Sequence, residues 1–132
     1  MATDILRGLY QKGRKENILL YSIFAEIKSI NCAWREGHYE YRERLVELIK
    51  QLDSLKDNKQ YKGNKNLVAI LYLETAYNLG INEKEYLENA VERYQEFPED
   101  VRNEEVVKYL YALCLELNGS IETAESIYAE LD

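Results

Sequence analysis

Proline and glycine are scarce in this sequence, with one Pro and six Gly among 132 residues. Folds made of many short strands need turn residues about every 8 to 12 positions. The long stretches without Pro or Gly therefore argue against a turn-rich β-sandwich or barrel and favour an all-α fold. The length predicts a single domain, residues 1–132.

Histidine and cysteine are also scarce, with His38 as the only histidine and with Cys32 and Cys114 far apart. A zinc site usually needs four such ligands at short spacings, so we expect no metal. The cysteines form no CxxC pair, and we expect each to be a reduced, buried thiol. Cys32 and His38 are near in sequence, but no motif of a cysteine nucleophile surrounds them. We therefore expect a surface histidine there rather than a catalytic pair.

Phosphate-binding glycine motifs are absent, since neither GxGxxG nor GxxxxGK occurs. Carboxylates are abundant, but the groups Glu99-Asp100 and Glu104-Glu105 stand at predicted helix starts. There they favourably oppose the helix dipole, which is a structural role. We expect no cofactor and no enzymatic activity.

Long apolar runs are missing too, because Glu and Lys interrupt every hydrophobic stretch. The sequence therefore predicts neither a signal peptide nor a membrane anchor, and the expected location is cytoplasmic.

The charge is unevenly distributed. Residues 1–66 carry 13 Lys and Arg against 9 Asp and Glu, whereas residues 67–132 carry 4 against 15. Such a difference can steer a charged partner or favour head-to-tail self-association, and it also fits two differently charged solvated faces.

Three pairs of predicted helices are each hinged at a glycine, namely Gly37, Gly80 and Gly119. In the first pair, apolar residues at helical spacing line one face of a long helix. These residues are Leu20, Ile23, Phe24, Ile27, Ile30 and Trp34. A seam with gaps of four and three residues follows, made of Tyr41, Leu45, Leu48, Leu52 and Leu55. Residues 3–12 are predicted to form a short lead-in helix before Gly13.

The second and third pairs follow the same plan. The segment NKNLVAILYLETAYNLG is apolar on nearly all sides, which predicts a buried central helix. Asn82 with Glu85 predicts a capping box for the next helix, and Pro98 ends that helix. Gly119 suits a left-handed turn. The predicted core positions of the last pair are Val106, Leu110, Leu113, Cys114 and Leu117, then Ile121, Ala124, Ile127, Tyr128 and Leu131.

The last pair resembles a tetratricopeptide repeat in its small and apolar residues around the turn. The residues that carry the resemblance are Ala112, Leu115, Gly119, Ala124 and Tyr128, with Ala90 and Tyr94 at matching positions in the middle pair. The resemblance implies antiparallel helical hairpins, approximately 16–55, 64–97 and 101–131, stacked as a short right-handed solenoid of about six to seven helices. It also implies that a protein or peptide partner binds in the concave groove.

The first helix of each hairpin lines the concave surface in that family. The partner-binding positions that the resemblance implies are Asn31, Trp34 and Arg35, then Glu74, Tyr77 and Asn78, then Tyr109, Leu113 and Glu116. Members that clamp a terminal carboxylate place a Lys one turn before the first Asn. Ile27 stands there instead, so we do not expect such a tail as the ligand.

Three alternatives to an adaptor of this kind stay open. In the first, the chain is a self-associating structural module that uses the seam of residues 41–55. In the second, it is a fragment of a larger repeat-containing regulator. The least favoured alternative is nucleic-acid binding through the Lys56–Lys65 loop, which carries Tyr61 among its lysines.

Overall fold

The computed structural model describes residues 21–55 and 63–131. Within these ranges the protein is all-helical, with no β-strand, as predicted. A 3-10 turn, Tyr39–Tyr41, precedes the second α-helix. The α-helices are α1 (residues 21–35), α2 (Arg42–Ser54), α3 (Lys65–Gly80), α4 (Lys84–Glu96), α5 (Glu99–Arg102), α6 (Glu105–Leu117) and α7 (Ile121–Leu131). The predicted lead-in helix at 3–12 and most of the lysine-rich loop lie outside the described residues.

Helix α3 is the central helix, as its uniformly apolar sequence predicts. Eleven of its sixteen residues are buried, and its exposed residues, Asn66 and Leu67, lie in its first turn. It packs against α2, α4 and α6, and hydrogen bonds join it to α1. The apolar stripe of the first helix and the leucines of the seam at 45, 48 and 52 are buried as predicted, but Tyr41 is exposed in the 3-10 turn. Their buried residues include Ile27, Ile30, Leu45, Leu48 and Leu52, while Leu20 is outside the described residues.

Two of the three glycine hinges have the left-handed backbone that glycine permits. Gly37 has a φ of 94° and Gly119 a φ of 95°. After α1, the Gly37 N–H donates to the carbonyl of Trp34 and the His38 N–H to that of Ala33. After α6, the Gly119 and Ser120 N–H groups donate in the same way to Glu116 and Leu115. Both turns are therefore Schellman motifs, which satisfy the last carbonyls of each helix.

Gly80 serves a different purpose, because it ends α3 without a positive φ. A Cβ at this position would overlap the side chain of Leu87 on α4. The glycine is therefore required by the close approach of α3 and α4.

Several local predictions are wrong. Cys32 is exposed, since on α1 it falls outside the stripe that includes Ile30, Asn31 and Trp34. The capping box is also wrong, because Glu83 occupies the N-cap of α4 and makes no side-chain cap hydrogen bond. The predicted Lys56–Lys65 loop ends earlier than expected, since Lys65 already begins α3.

The buried face of α6 differs from the predicted one. Val106 and Leu117 are exposed, and the buried residues are Val107, Tyr111, Ala112, Cys114 and Leu115. The segment EVVKYLYALCLEL is apolar on several sides, so two neighbouring stripes fit helical spacing equally well. Ile121 of α7 is exposed as well. The short helix α5 was not predicted, and it lies across the start of the third predicted hairpin with Val101 buried beneath it.

Candidate functional site

A cleft of about 450 Å³ opens where α1, α3 and α6 lie side by side. These helices are the first members of the three predicted hairpins. The cleft is lined by Trp34, Arg35, Tyr39, Glu74, Tyr77, Asn78, Ile81, Tyr109, Leu110 and Leu113. Its wall is largely aromatic and aliphatic, with one acidic and one basic side chain, as is common for ligand sites.

Seven of the nine predicted partner-binding residues meet in this cleft. They are Trp34, Arg35, Glu74, Tyr77, Asn78, Tyr109 and Leu113. The other two, Asn31 and Glu116, are not among the lining residues. Positions separated by up to 79 residues in sequence are thus brought to one surface by the three helices.

Asn31 lies beneath the cleft, fully buried. Its Nδ2 donates to Thr75 Oγ1 at 3.1 Å, and its Oδ1 accepts from Asn78 Nδ2 at 2.9 Å. Buried amides need such partners because an unpaired polar group in the interior is costly. Asn31 therefore joins α1 to α3 and orients Asn78, which does line the cleft.

Glu116 lies on the exposed side of α6, where its Oε2 accepts a hydrogen bond from the Tyr128 hydroxyl of α7 at 2.8 Å. Burial and this hydrogen bond raise the pKa of Tyr128. The Tyr128 ring in turn lies 5.9 Å from that of Tyr109, a lining residue. Glu116 thus links α6 to α7 and does not line the cleft.

Glu74 is the acidic residue of the wall, and its side chain is only 8% exposed. Two cations from α1 approach it, with Arg35 Nη2 at 3.0 Å from Oε1 and Lys28 Nζ at 3.6 Å from Oε2. Both cationic side chains are more than half exposed. Oε1 accepts no hydrogen bond in the described part of the chain, so its interaction with Arg35 is electrostatic.

Trp34 presents a buried aromatic surface with an unused donor. Its ring meets that of Tyr39 edge-on, with centroids 4.8 Å apart. The indole Nε1 is buried and has no hydrogen-bond partner among residues 21–55 and 63–131. Buried indole N–H groups are normally paired, so this unfilled hydrogen-bonding position stands out in a residue that lines the cleft.

Sequence reasoning missed three lining residues, namely Tyr39, Ile81 and Leu110. Tyr39 and Ile81 follow helix ends and are each 54% exposed. A large apolar residue in a glycine-marked turn was the available signal for both. Leu110 had been assigned to the core, where one side of it does pack.

The seam of residues 41–55 is not a free surface. Leu45, Leu48 and Leu52 are buried in the chain's own core. Self-association through these leucines would require the first hairpin to open. The lysines at 56, 59 and 62, with Tyr61, lie outside the described residues.

None of the helices in the described ranges combines the length and apolarity needed to cross a bilayer. Comparison with known protein families, curated proteins and solved structures finds no match. The resemblance to the tetratricopeptide repeat therefore stays a prediction.

Proposed function

We propose that the chain is a tetratricopeptide-like repeat domain whose three hairpins, α1/α2, α3/α4 and α6/α7, stack as a short right-handed solenoid. The order of helix contacts supports this arrangement. Helix α3 touches both members of the pair before it, together with α4 and α6, and α6 touches α3, α4 and α7. Each inner helix thus packs on the preceding pair and on its own partner.

The function supported best is that of a non-enzymatic protein–protein interaction module in the cytoplasm, an adaptor or regulatory scaffold that holds a peptide segment of its partner. One observation carries this proposal: the cleft on the inner helices gathers seven residues that the repeat pattern assigns to ligand contact. Aromatic residues such as Tyr77 and Tyr109 supply large contact area at low entropic cost. The Trp34 indole N–H supplies a donor for a peptide carbonyl.

The proposal is tested by selecting peptides from a displayed random library against the wild-type chain. Selected peptides are then titrated against the double variant Tyr77→Ala/Tyr109→Ala, which removes two aromatic side chains from the wall. We expect Kd to rise by about tenfold or more, since aromatic contact residues each contribute on the order of 1 kcal/mol or more.

The matched control is Tyr21→Ala/Tyr41→Ala, which removes two exposed tyrosines outside the cleft lining. Its affinity should match that of wild type. Equal affinity of both double variants, or no peptide enriched over an unrelated helical protein, contradicts the proposed function.

A further inference from the structure

The cleft wall contains one carboxylate, Glu74, and both of the cations that pair with it are solvent-exposed. The Glu74 residue is 6% exposed, whereas the side chains of its partners Lys28 and Arg35 are 60% and 58% exposed. Ion pairs with solvent-exposed cations are weak, because water screens them and holding a long side chain in place loses entropy. A cation that enters the cleft competes with these two side chains for the Glu74 carboxylate.

Four aromatic side chains line the same cleft as Glu74. They are Trp34, Tyr39, Tyr77 and Tyr109. The face of an aromatic ring carries partial negative charge and attracts Lys or Arg, more strongly once water is excluded. An acidic group among several rings is therefore a chemically suited receptor for a basic side chain.

The charge on the α6–α7 side of the cleft is negative, whereas Lys28 and Arg35 lie on its α1 side. Residues 67–132 carry 15 acidic and 4 basic residues. Helix α6 forms one wall of the cleft, and α7 packs against α6. The exposed carboxylates of these two helices are Glu105, Glu116, Glu122, Glu125 and Glu130. Lys108 is the basic residue there, and it pairs with Glu130. An acidic surface of this extent raises the encounter rate of a cationic ligand and disfavours an anionic one.

From these three observations we infer that the cleft recognises a basic side chain, Arg or Lys, in a peptide segment of the partner. Glu74 is the counter-ion of this basic side chain, and the aromatic rings contact its aliphatic part and its charged group. The Trp34 indole N–H donates a hydrogen bond to a neighbouring peptide carbonyl. Arg35 occupies the carboxylate in the free protein and competes with the ligand. This inference rests on the proposed function, since it names the chemistry of the segment that the cleft binds.

The experiment uses an array of hexapeptides of random composition, each with one fixed residue: Arg, Lys, citrulline, Gln or Glu. Wild-type protein should bind the Arg and Lys sets at least about tenfold more strongly than the citrulline, Gln and Glu sets, as expected when a charge pair forms in a desolvated site. Citrulline has the shape of Arg without its charge and is the critical comparison.

Two carboxylate variants assign the preference to the cleft. Glu74→Gln keeps the size of the side chain and removes its charge, so the preference for Arg and Lys should disappear. Glu125→Gln makes the same change of net charge on an exposed position of α7 and should retain it. Thermal unfolding by circular dichroism confirms that both variants are folded at the assay temperature.

Arg35→Gln provides a second test with the opposite sign. Removing the internal competitor should strengthen binding of the Arg and Lys sets, by about two- to fivefold for a screened surface ion pair. If Arg35 instead recognises acidic peptides, its removal weakens binding and the Glu set is preferred by wild type. That pair of results overturns the inference.

The outcomes also separate this inference from the function on which it rests. Binding of many hexapeptides without any advantage of Arg or Lys over citrulline overturns the inference and leaves peptide binding in the cleft intact. Absence of binding to every set, with wild type and Tyr77→Ala/Tyr109→Ala alike, overturns both.

Discussion

Among single side chains, Trp34 and Glu74 carry the account of function. Both are almost fully buried, and each has a polar atom without a hydrogen-bond partner in the described chain. Asn31, which is equally buried, differs because both Thr75 and Asn78 pair with its amide. Asn31 therefore stabilises the fold, whereas the Trp34 indole N–H has no partner in the described residues and Glu74 is ion-paired with two exposed cations.

Cysteine labelling tests the exposure of Cys32 and the burial of Cys114. Cys32 is exposed, whereas Cys114 is buried and burial raises its pKa to about 12. A thiol reacts as the thiolate, so at pH 8 the native protein should react with one equivalent of a thiol reagent such as DTNB. In urea it should react with two.

Cys32→Ser is the control, and in the native state it should show almost no reaction. Rapid labelling of two thiols in native wild type would contradict the placement of Cys114.

Gly80→Ala tests the close approach of α3 and α4. Alanine is the better helix former, but its Cβ would overlap Leu87. We expect a net loss of about 1–3 kcal/mol in the free energy of unfolding, measured by urea denaturation, because overpacking outweighs the gain in propensity.

Gly63→Ala is the matched substitution, since a Cβ at Gly63 meets nothing within 4 Å. It should leave the stability unchanged or raise it slightly. A Gly80→Ala protein as stable as the Gly63→Ala protein would show that α3 and α4 are not in such close contact.

At the scale of the helices, two ion pairs join α2 to α4 and to the residue before it. Arg42 at the start of α2 forms a bidentate ion pair with Glu83. Its Nε donates to Oε2 at 2.6 Å and its Nη2 donates to Oε1. Arg93 of α4 donates to Asp53 of α2 at 2.7 Å. The two pairs therefore join the first and second hairpins at separate points along α2.

The Arg42–Glu83 pair predicts a pH dependence. Hydrogen bonding to Arg42 holds the pKa of Glu83 below its ordinary value of 4.5. A carboxyl whose folded pKa is lowered stabilises the fold at pH values above its ordinary pKa, and this contribution is lost as the pH falls through the lowered value. In urea denaturation, wild type should therefore exceed Glu83→Gln in stability at pH 7, and the difference should shrink between pH 5 and pH 3.

Glu85→Gln makes the same charge change in the same turn of α4. Its stability should differ from wild type by less at pH 7. A Glu83→Gln difference that stays constant down to pH 3 would contradict the ion pair.

The sequence predicted where most of the helices lie, but it did not always predict which face of a helix is buried. The α1 stripe and the leucines of α2 have polar residues opposite them, so one face is marked clearly. In α6 the apolar residues extend around the helix, and only contact with α3, α4 and α7 decides that Val107 rather than Val106 is buried. Helix α5 is a single turn held by the buried Val101, too short for any periodic signal.

At the scale of the whole molecule, the repeat pattern predicted the cleft residues that stand at repeat positions and missed those in the turns. Counting from the glycine turns placed Trp34, Tyr77 and Tyr109 on one surface, and all three line the cleft. Tyr39 and Ile81 were missed because they stand in turns outside the repeat positions. Asn31 was predicted to line the cleft, but it is buried beneath it, where its amide bonds to Thr75 and Asn78 of α3.

The single tryptophan allows the central claim to be measured at one atom pair. In a ¹H–¹⁵N NMR spectrum, Trp34 gives the one indole N–H resonance, and a peptide selected from the library is titrated into the wild-type protein. The account predicts a progressive downfield shift of that resonance, with the same Kd as the bulk binding, because the unpaired N–H gains an acceptor in the cleft. An indole resonance that stays unmoved while backbone amides elsewhere shift would place the partner on another surface and contradict the account.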